Sequence, residues 1–242
     1  MINLINPNSF NRFSEKIILA IGLFSLLLFV VGIYWSLVIA PIDYQQGEMV
    51  KIMYIHVPSA WMSLLIYSFI ALMSAITIIF RNPFAAIAAR SAAPIGLVFT
   101  LNVLLTGSIW GRPMWGVWWV WDARLTSVMF LFFIYLGYIL LLRTQNNLFK
   151  SEKIAAIYAI IGFINIPIIK FSVDWWNTLH QPASILKIDG PSIHLSMLYP
   201  LIIMFFAFST LFLYLLLVSI RIELIKNKIR AINLKRINDI DN

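Results

Sequence analysis

The sequence predicts an all-α integral membrane protein of six transmembrane helices, with both termini cytoplasmic. Three observations predict it. The 242 residues are 61% hydrophobic and only 12% charged, with mean hydropathy +0.88. A water-soluble domain cannot bury that much apolar surface, so lipid is its solvent. Apolar stretches long enough to cross a bilayer occur at 17–40, 57–80, 92–109, 125–142, 154–171 and 195–220. Threaded in that order, 13 of the 18 lysines and arginines fall on the side of the termini, which satisfies the positive-inside rule. A single transmembrane domain spans 1–242, and 221–242 forms a basic cytoplasmic tail.

The first segment follows Arg12 and Lys16 but is too long for a signal-peptide core and lacks a small-residue cleavage pattern. A retained helix is expected. Pro58 fits the first turn of the second helix, where its missing N–H costs nothing. His56 then lies in the preceding outer loop, with Trp61 one turn deeper. The third, fourth and fifth stretches are short and need local thinning or aromatic anchors to span. Pro94, Pro167 and Pro200 can kink their helices, and Lys170 can snorkel outward. The basic inner loops, 81–91 and 143–153, hold no phosphate-cradling glycine motif, carboxylate pair or nucleophile–base pattern. The basic tail reads as an orientation and lipid-headgroup feature, and nucleic acid is not expected as a partner.

The second outer loop is the most informative. Five of the nine tryptophans fall in it, Trp110, Trp115, Trp118, Trp119 and Trp121, beside Arg112, Asp122 and Arg124. An aromatic belt explains isolated indoles better than it explains this density. A stacking platform for a planar amphipathic ligand is the sharper reading. Pro113 argues against continuous helix from the third segment. From Trp115 onward, a short amphipathic helix places Trp115, Trp118, Trp119 and Asp122 on one face. An extended run instead pairs Trp119 with Trp121. The helix is the favoured expectation.

Only three histidines occur, all on the outer side. His56 and His180, in loops flanking the tryptophans, either ligate haem iron from opposite faces or hydrogen-bond loop backbone. The residues alone leave both open. His194, at the start of the sixth helix, is expected to be structural. Arg112 and Arg124 could fork onto ligand carboxylates, or pair with Asp122 to hold the loop. Asp122 is preferred as the group that orients an arginine, and Arg124 as the more structural of the two. Cysteine is absent, so this chain offers no thiol chemistry and no Cys-x-x-Cys-His attachment, and any haem is held noncovalently.

The run WGRPMWGVWWVWDARLTS (110–127) resembles the tryptophan-rich WWD signature of haem-handling membrane proteins. With YIHVPSAW (54–61) before it and TLHQPAS (178–184) after it, the chain is similar throughout to the haem exporter protein C (CcmC) family of cytochrome c maturation. The resemblance implies that His56 and His180 are axial ligands of haem b carried as transient cargo. It implies that residues Trp110 to Asp122 form the haem platform. It further implies delivery of haem to the periplasmic chaperone CcmE, in a complex with the ABC-transporter and small membrane subunits CcmA, CcmB and CcmD. The setting would be the bacterial inner membrane, or the mitochondrial inner membrane for an organelle-encoded chain. No catalytic residue is assigned, although the resemblance leaves room for a role in promoting haem attachment to the chaperone. Two other classes compete. A permease would move haem or another substrate itself, but should show intramembrane charges and broken helices. A b-type electron-transfer subunit would hold its histidines inside helices.

Overall fold

The computed structural model describes residues 7–143, 148–181, 184–185 and 190–240. Among the described residues, seven α-helices build six apolar spans: α1 (Pro7–Tyr34), α2 (Met53–Phe80), α3 (Pro83–Trp115), α4 (Ala123–Leu141), α5 (Leu148–Gly162), α6 (Asn165–Trp175) and α7 (Leu195–Ile240). Together α5 and α6 make the fifth span, Leu148–Trp175. Among the described residues the only β-structure is a single bridge between Asp43 and Gly47. The chain is therefore a multi-pass membrane protein, nearly all helical.

The break between α5 and α6 has a sequence cause. Pro167 lacks the N–H that would bond the Phe163 carbonyl, and its ring would collide with that carbonyl in a continuous helix. The chain turns tightly there instead, with Ile164 N donating to Ile161 O at 3.2 Å and Ile166 N donating to Phe163 O at 3.0 Å. Pro94 and Pro200 sit inside α3 and α7 without such a break.

The first inner loop is shorter than the sequence predicts. Only Arg81 and Asn82 separate α2 from α3. Arg81 takes the left-handed conformation (φ 51°) that ends α2. The Asn82 side chain accepts from Phe84 N at 2.9 Å and Ala85 N at 3.3 Å, with Pro83 at the first helical position. Starting so early gives α3 a buried alanine run, which lets it lie closely along α2. It also draws Arg90, expected in a loop, into the buried part of a helix.

At that end Arg90 binds Glu152 of α5 through Nη1 and lies 2.8 Å from Glu223 of α7 through Nε. Its Nη2 donates to Asn227 at 3.3 Å. Lys226 meets Glu223 at 2.9 Å. Three helices are thus tied by a largely buried charge cluster. Arg90 stands about two turns inside α3 and finds its partners on neighbouring helices.

The centre is held by tyrosines with satisfied hydroxyls. Tyr135 donates to Ser63 O at 2.7 Å, Tyr67 donates to Ala159 O at 3.1 Å, and the two rings meet edge-on at 5.1 Å. Glycine makes this possible at two crossings. A Cβ at Gly96 would fall 2.3 Å from the Tyr135 ring, and one at Gly162 would fall 2.2 Å from the Tyr67 hydroxyl. By contrast α1 leans mainly on α7 and leaves Leu23, Leu26, Leu27 and Val30 exposed, as a lipid-facing helix does.

Where the sequence reading places a tail after 220, α7 runs on as helix to Ile240. No proline or glycine interrupts it after Pro200. Forty-six residues make about 69 Å of helix, far more than the ~30 Å of hydrocarbon it must cross.

Candidate functional site

The site is built where the end of α3, the start of α2 and the segments 116–122 and 176–181 converge. His56 lies inside α2, one turn from its start, and not in the preceding loop. The helix begins early because a short 3-10 turn, Glu48–Ile52, leads straight into it. Pro58 consequently falls in the second turn. The imidazole is buried against α3. Its Nδ1 is 2.9 Å from Thr106 Oγ1, and the Val103 carbonyl also faces the ring. Thr106 Oγ1 donates to Asn102 O at 2.6 Å, and Asn102 Nδ2 donates to Ser59 Oγ at 2.7 Å. Gly107 leaves room for the ring: a Cβ there would stand 3.1 Å from His56 Cε1.

Trp110 meets the His56 ring edge-on at 5.7 Å. Its Nε1 donates to Gln46 Oε1 at 3.0 Å, which binds the first loop to α3. That loop is itself folded around Asp43, whose carboxylate accepts from the N–H groups of Gln45 and Gln46.

The tryptophan run departs from expectation twice. First, α3 continues through Pro113 to Trp115. Pro113 removes one hydrogen bond in the last turn, where few bonds remain to be lost. Second, residues 116–122 form no helix. Gly116 adopts φ +75° and its N–H returns to Arg112 O at 3.0 Å, while the Arg112 guanidinium binds the Gly116 carbonyl. This closes α3. The β-branched and aromatic residues that follow favour extended chain over helix. Trp119 and Trp121 accordingly come together, ring centroids 5.7 Å apart and edge-on at 76°. The indoles form a faceted surface and not one flat stack. Trp118 and Trp121 are 59% and 75% exposed, whereas Trp115 and Trp119 are half-buried. Trp119 Nε1 is buried and meets no acceptor among the described residues.

Asp122 caps α4: its Oδ1 accepts from Leu125 N at 2.7 Å. Its Oδ2 accepts from the Thr178 hydroxyl, and Thr178 Oγ1 accepts from the backbone N–H of His180 at 3.1 Å. Both carboxylate oxygens being engaged, Asp122 forms an ion pair with neither arginine. The expected Asp122–arginine pair is replaced by a link from the tryptophan loop to the His180 segment. Arg124 turns to α6, with Nε donating to Ser172 Oγ at 2.8 Å and Nη2 to Lys170 O at 3.4 Å.

His180 lies in a non-helical segment and is partly buried. Its Nδ1 is 3.0 Å from the Gln181 carbonyl. Burial first, and the Arg124 guanidinium after it, push its pKa below the ordinary imidazole value. The hydrogen bond to Gln181 and the charge of Asp122 oppose them. The neutral ring is therefore the stable form near neutral pH. From positions more than 120 residues apart, His56 packs on Trp110 at one end of the tryptophan run and His180 is tied through Thr178 to Asp122 at the other. His194 stands apart, its Nδ1 accepting from Ser196 N at 3.3 Å at the start of α7. Pro182 and Ala183, within the TLHQPAS motif, lie outside the described residues.

Sequence reasoning misses Thr106 and Thr178, because hydroxyl residues in and beside membrane helices carry no pattern of their own. It notes Trp175 and Trp176 without giving them a role. They extend the aromatic surface: Trp175 stacks on Phe171 at 5.4 Å and meets Trp176 at 5.9 Å.

The family model for heme exporter protein C matches residues 1–235. The chain belongs to the heme exporter protein C family. The match includes His56, His180 and the whole tryptophan run. Heme exporter protein C of Bradyrhizobium diazoefficiens is 46% identical over 234 residues, covering 97% of this chain and 89% of its own. That of Haemophilus influenzae is 46% identical over 220 residues, covering 91% and 89%. A Marchantia polymorpha protein described as a putative cytochrome c biosynthesis ccmC-like mitochondrial protein is 55% identical over 177 residues, covering 73% and 75%.

Proposed function

We propose that the chain handles haem in cytochrome c maturation, holding it at the aromatic end of the bundle and passing it to the periplasmic chaperone CcmE. The observation that carries this reading is that His56 packs on Trp110 at one end of the tryptophan run and His180 is tied through Thr178 to Asp122 at the other, with Nδ1 of each ring engaged by the protein. A neutral imidazole so held offers Nε2 to iron. Trp118 and Trp121 supply exposed apolar faces for the macrocycle, with Trp119 edge-on to Trp121 and Trp110 and Trp115 less exposed. The buried Trp119 N–H is a donor without a protein acceptor, which suits an anionic haem edge. Arg112 and Arg124 are the nearby cations for the propionates. Asp122 orients the His180 segment. Haem b is cargo here, held noncovalently, and the iron chemistry is its own.

On this reading the site faces the periplasm, in the inner membrane of a bacterium or mitochondrion, and the chain assembles with CcmA, CcmB and CcmD. The test is the visible absorption spectrum of the chain purified with CcmE, for wild type, His56→Ala and His180→Ala. A six-coordinate haem spectrum lost or altered in both variants is expected. Haem that ignores both histidines would sink the proposal.

A permease reading draws some support from the α5–α6 break and from the buried charges around Arg90. Those charges lie about 30 Å along α3 from Trp110, and they tie α3, α5 and α7 together. A latch that closes one end of the bundle favours holding over conduction. Haem that accumulates outside when the ABC ATPase is inactive would reverse that preference.

A further inference from the structure

Thr106 has a single hydroxyl proton. It stands 2.6 Å from the Asn102 carbonyl and 3.4 Å from the Val103 carbonyl, two groups that can only accept. Committed there, the oxygen offers only lone pairs to the third neighbour, His56 Nδ1 at 2.9 Å. Nδ1 must then carry the proton. The Val103 carbonyl, close to the Thr106 oxygen and facing the same ring, reinforces this, because an unprotonated Nδ1 would set a lone pair against carbonyl oxygens. A neutral imidazole has one N–H, so Nε2 keeps its lone pair.

We propose that Thr106 is a positioning residue: it locks His56 as the Nδ1–H tautomer and aims Nε2 at the haem iron. This deepens the haem reading and rests on it. His180 reaches the same tautomer by a different route, since its Nδ1 faces the Gln181 carbonyl at 3.0 Å. There the partner is backbone and no substitution removes it. At His56 the partner is a side chain, so this ligand's orientation is genetically separable from its presence. A hydrogen bond donated from Nδ1 makes Nε2 a stronger donor to iron, which favours the ferric state. Gly107 completes the arrangement by leaving room for the ring against α3.

Two measurements on the full chain in detergent test the assignment. In the haem-free chain, nitrogen NMR of labelled histidine reads the tautomer directly, with only three histidines to resolve. His56 protonated on Nδ1 is expected, and protonation on Nε2 overturns the proposal. Hemin is then titrated into wild type, Thr106→Val and Thr106→Ser. The valine variant keeps the shape and should release hemin roughly tenfold faster, with a raised midpoint potential. The serine variant should restore both. A valine variant with wild-type release and potential overturns the proposal, even where His56→Ala abolishes ligation. If His56→Ala leaves ligation intact, the haem-ligand reading fails instead, and the tautomer measured without haem still decides the role of Thr106.

Discussion

Asp122 and Thr178, 56 residues apart, share a hydrogen bond in which the hydroxyl donates to the carboxylate. Through it the end of the tryptophan run and the His180 segment become one unit. The same Thr178 oxygen receives the His180 backbone N–H, and the same carboxylate caps α4. Asp122 thus joins the start of α4 to the placement of His180.

The link separates two kinds of damage. Thr178→Val leaves the α4 cap in place and frees the His180 segment. Haem ligation by His180 should weaken while thermal unfolding stays near wild type. Asp122→Ala removes the cap as well, at a further cost of about 1 kcal/mol. Absorption spectra and tryptophan-detected melting, recorded on both variants, check the separation. Equal melting losses in the two would refute it.

The Arg90 cluster predicts a larger effect. Arg90→Ala leaves Glu152 and Glu223 facing each other in a largely buried site. Removing one partner of a buried ion group typically costs about 3–5 kcal/mol. The melting temperature should fall sharply, with haem spectra unchanged in whatever fraction remains folded. Adding Glu152→Gln and Glu223→Gln to Arg90→Met should recover much of the loss. No recovery would mean that the charges are not what makes the single variant unstable.

The contrast between these two sites shows what a sequence of this kind reveals. Six apolar stretches and a biased distribution of cations are enough to read the span number, because each signal is summed over many residues. The tryptophan run and the local sequences around His56 and His180 are legible because their composition is rare. The helix ends are not. His56 entered α2 and Arg90 entered α3 because local capping, by the 3-10 turn at 48–52 and by Asn82, carries each helix past its apolar core. The reach of α3 to Trp115 despite Pro113 is likewise a matter of where its last bonds fall. The partners Thr106 and Thr178 depend on contacts between distant segments, which periodicity does not encode.

Close packing around tyrosine gives a further test. Gly96→Ala would set a methyl group 2.3 Å from the rigid Tyr135 ring, so helix α3 or α4 has to move. Overpacking of this sort costs about 1–3 kcal/mol. Pairing it with Tyr135→Leu, which replaces the ring with a smaller and more flexible side chain, should return part of the loss. Additive destabilisation in the double variant, followed by thermal unfolding in detergent, would show that the two residues do not meet.

The absence of cysteine makes the orientation directly measurable. A single cysteine at Val117, which is exposed in the tryptophan segment, should react with a membrane-impermeant maleimide in intact spheroplasts. One at Lys228, on the exposed flank of the α7 extension, should react only after the membrane is opened. Neither substitution touches His56, His180 or the Arg90 cluster, so both variants should keep the fold. The positive-inside bias and the proposed delivery site make the same prediction from independent grounds: thirteen cations on the side of the chain termini predict that side to be cytoplasmic, and the proposed haem delivery to CcmE requires the indoles on the other. The reverse labelling pattern would place the aromatic surface in the cytoplasm. It would exclude direct transfer to a periplasmic chaperone whatever the two histidines bind.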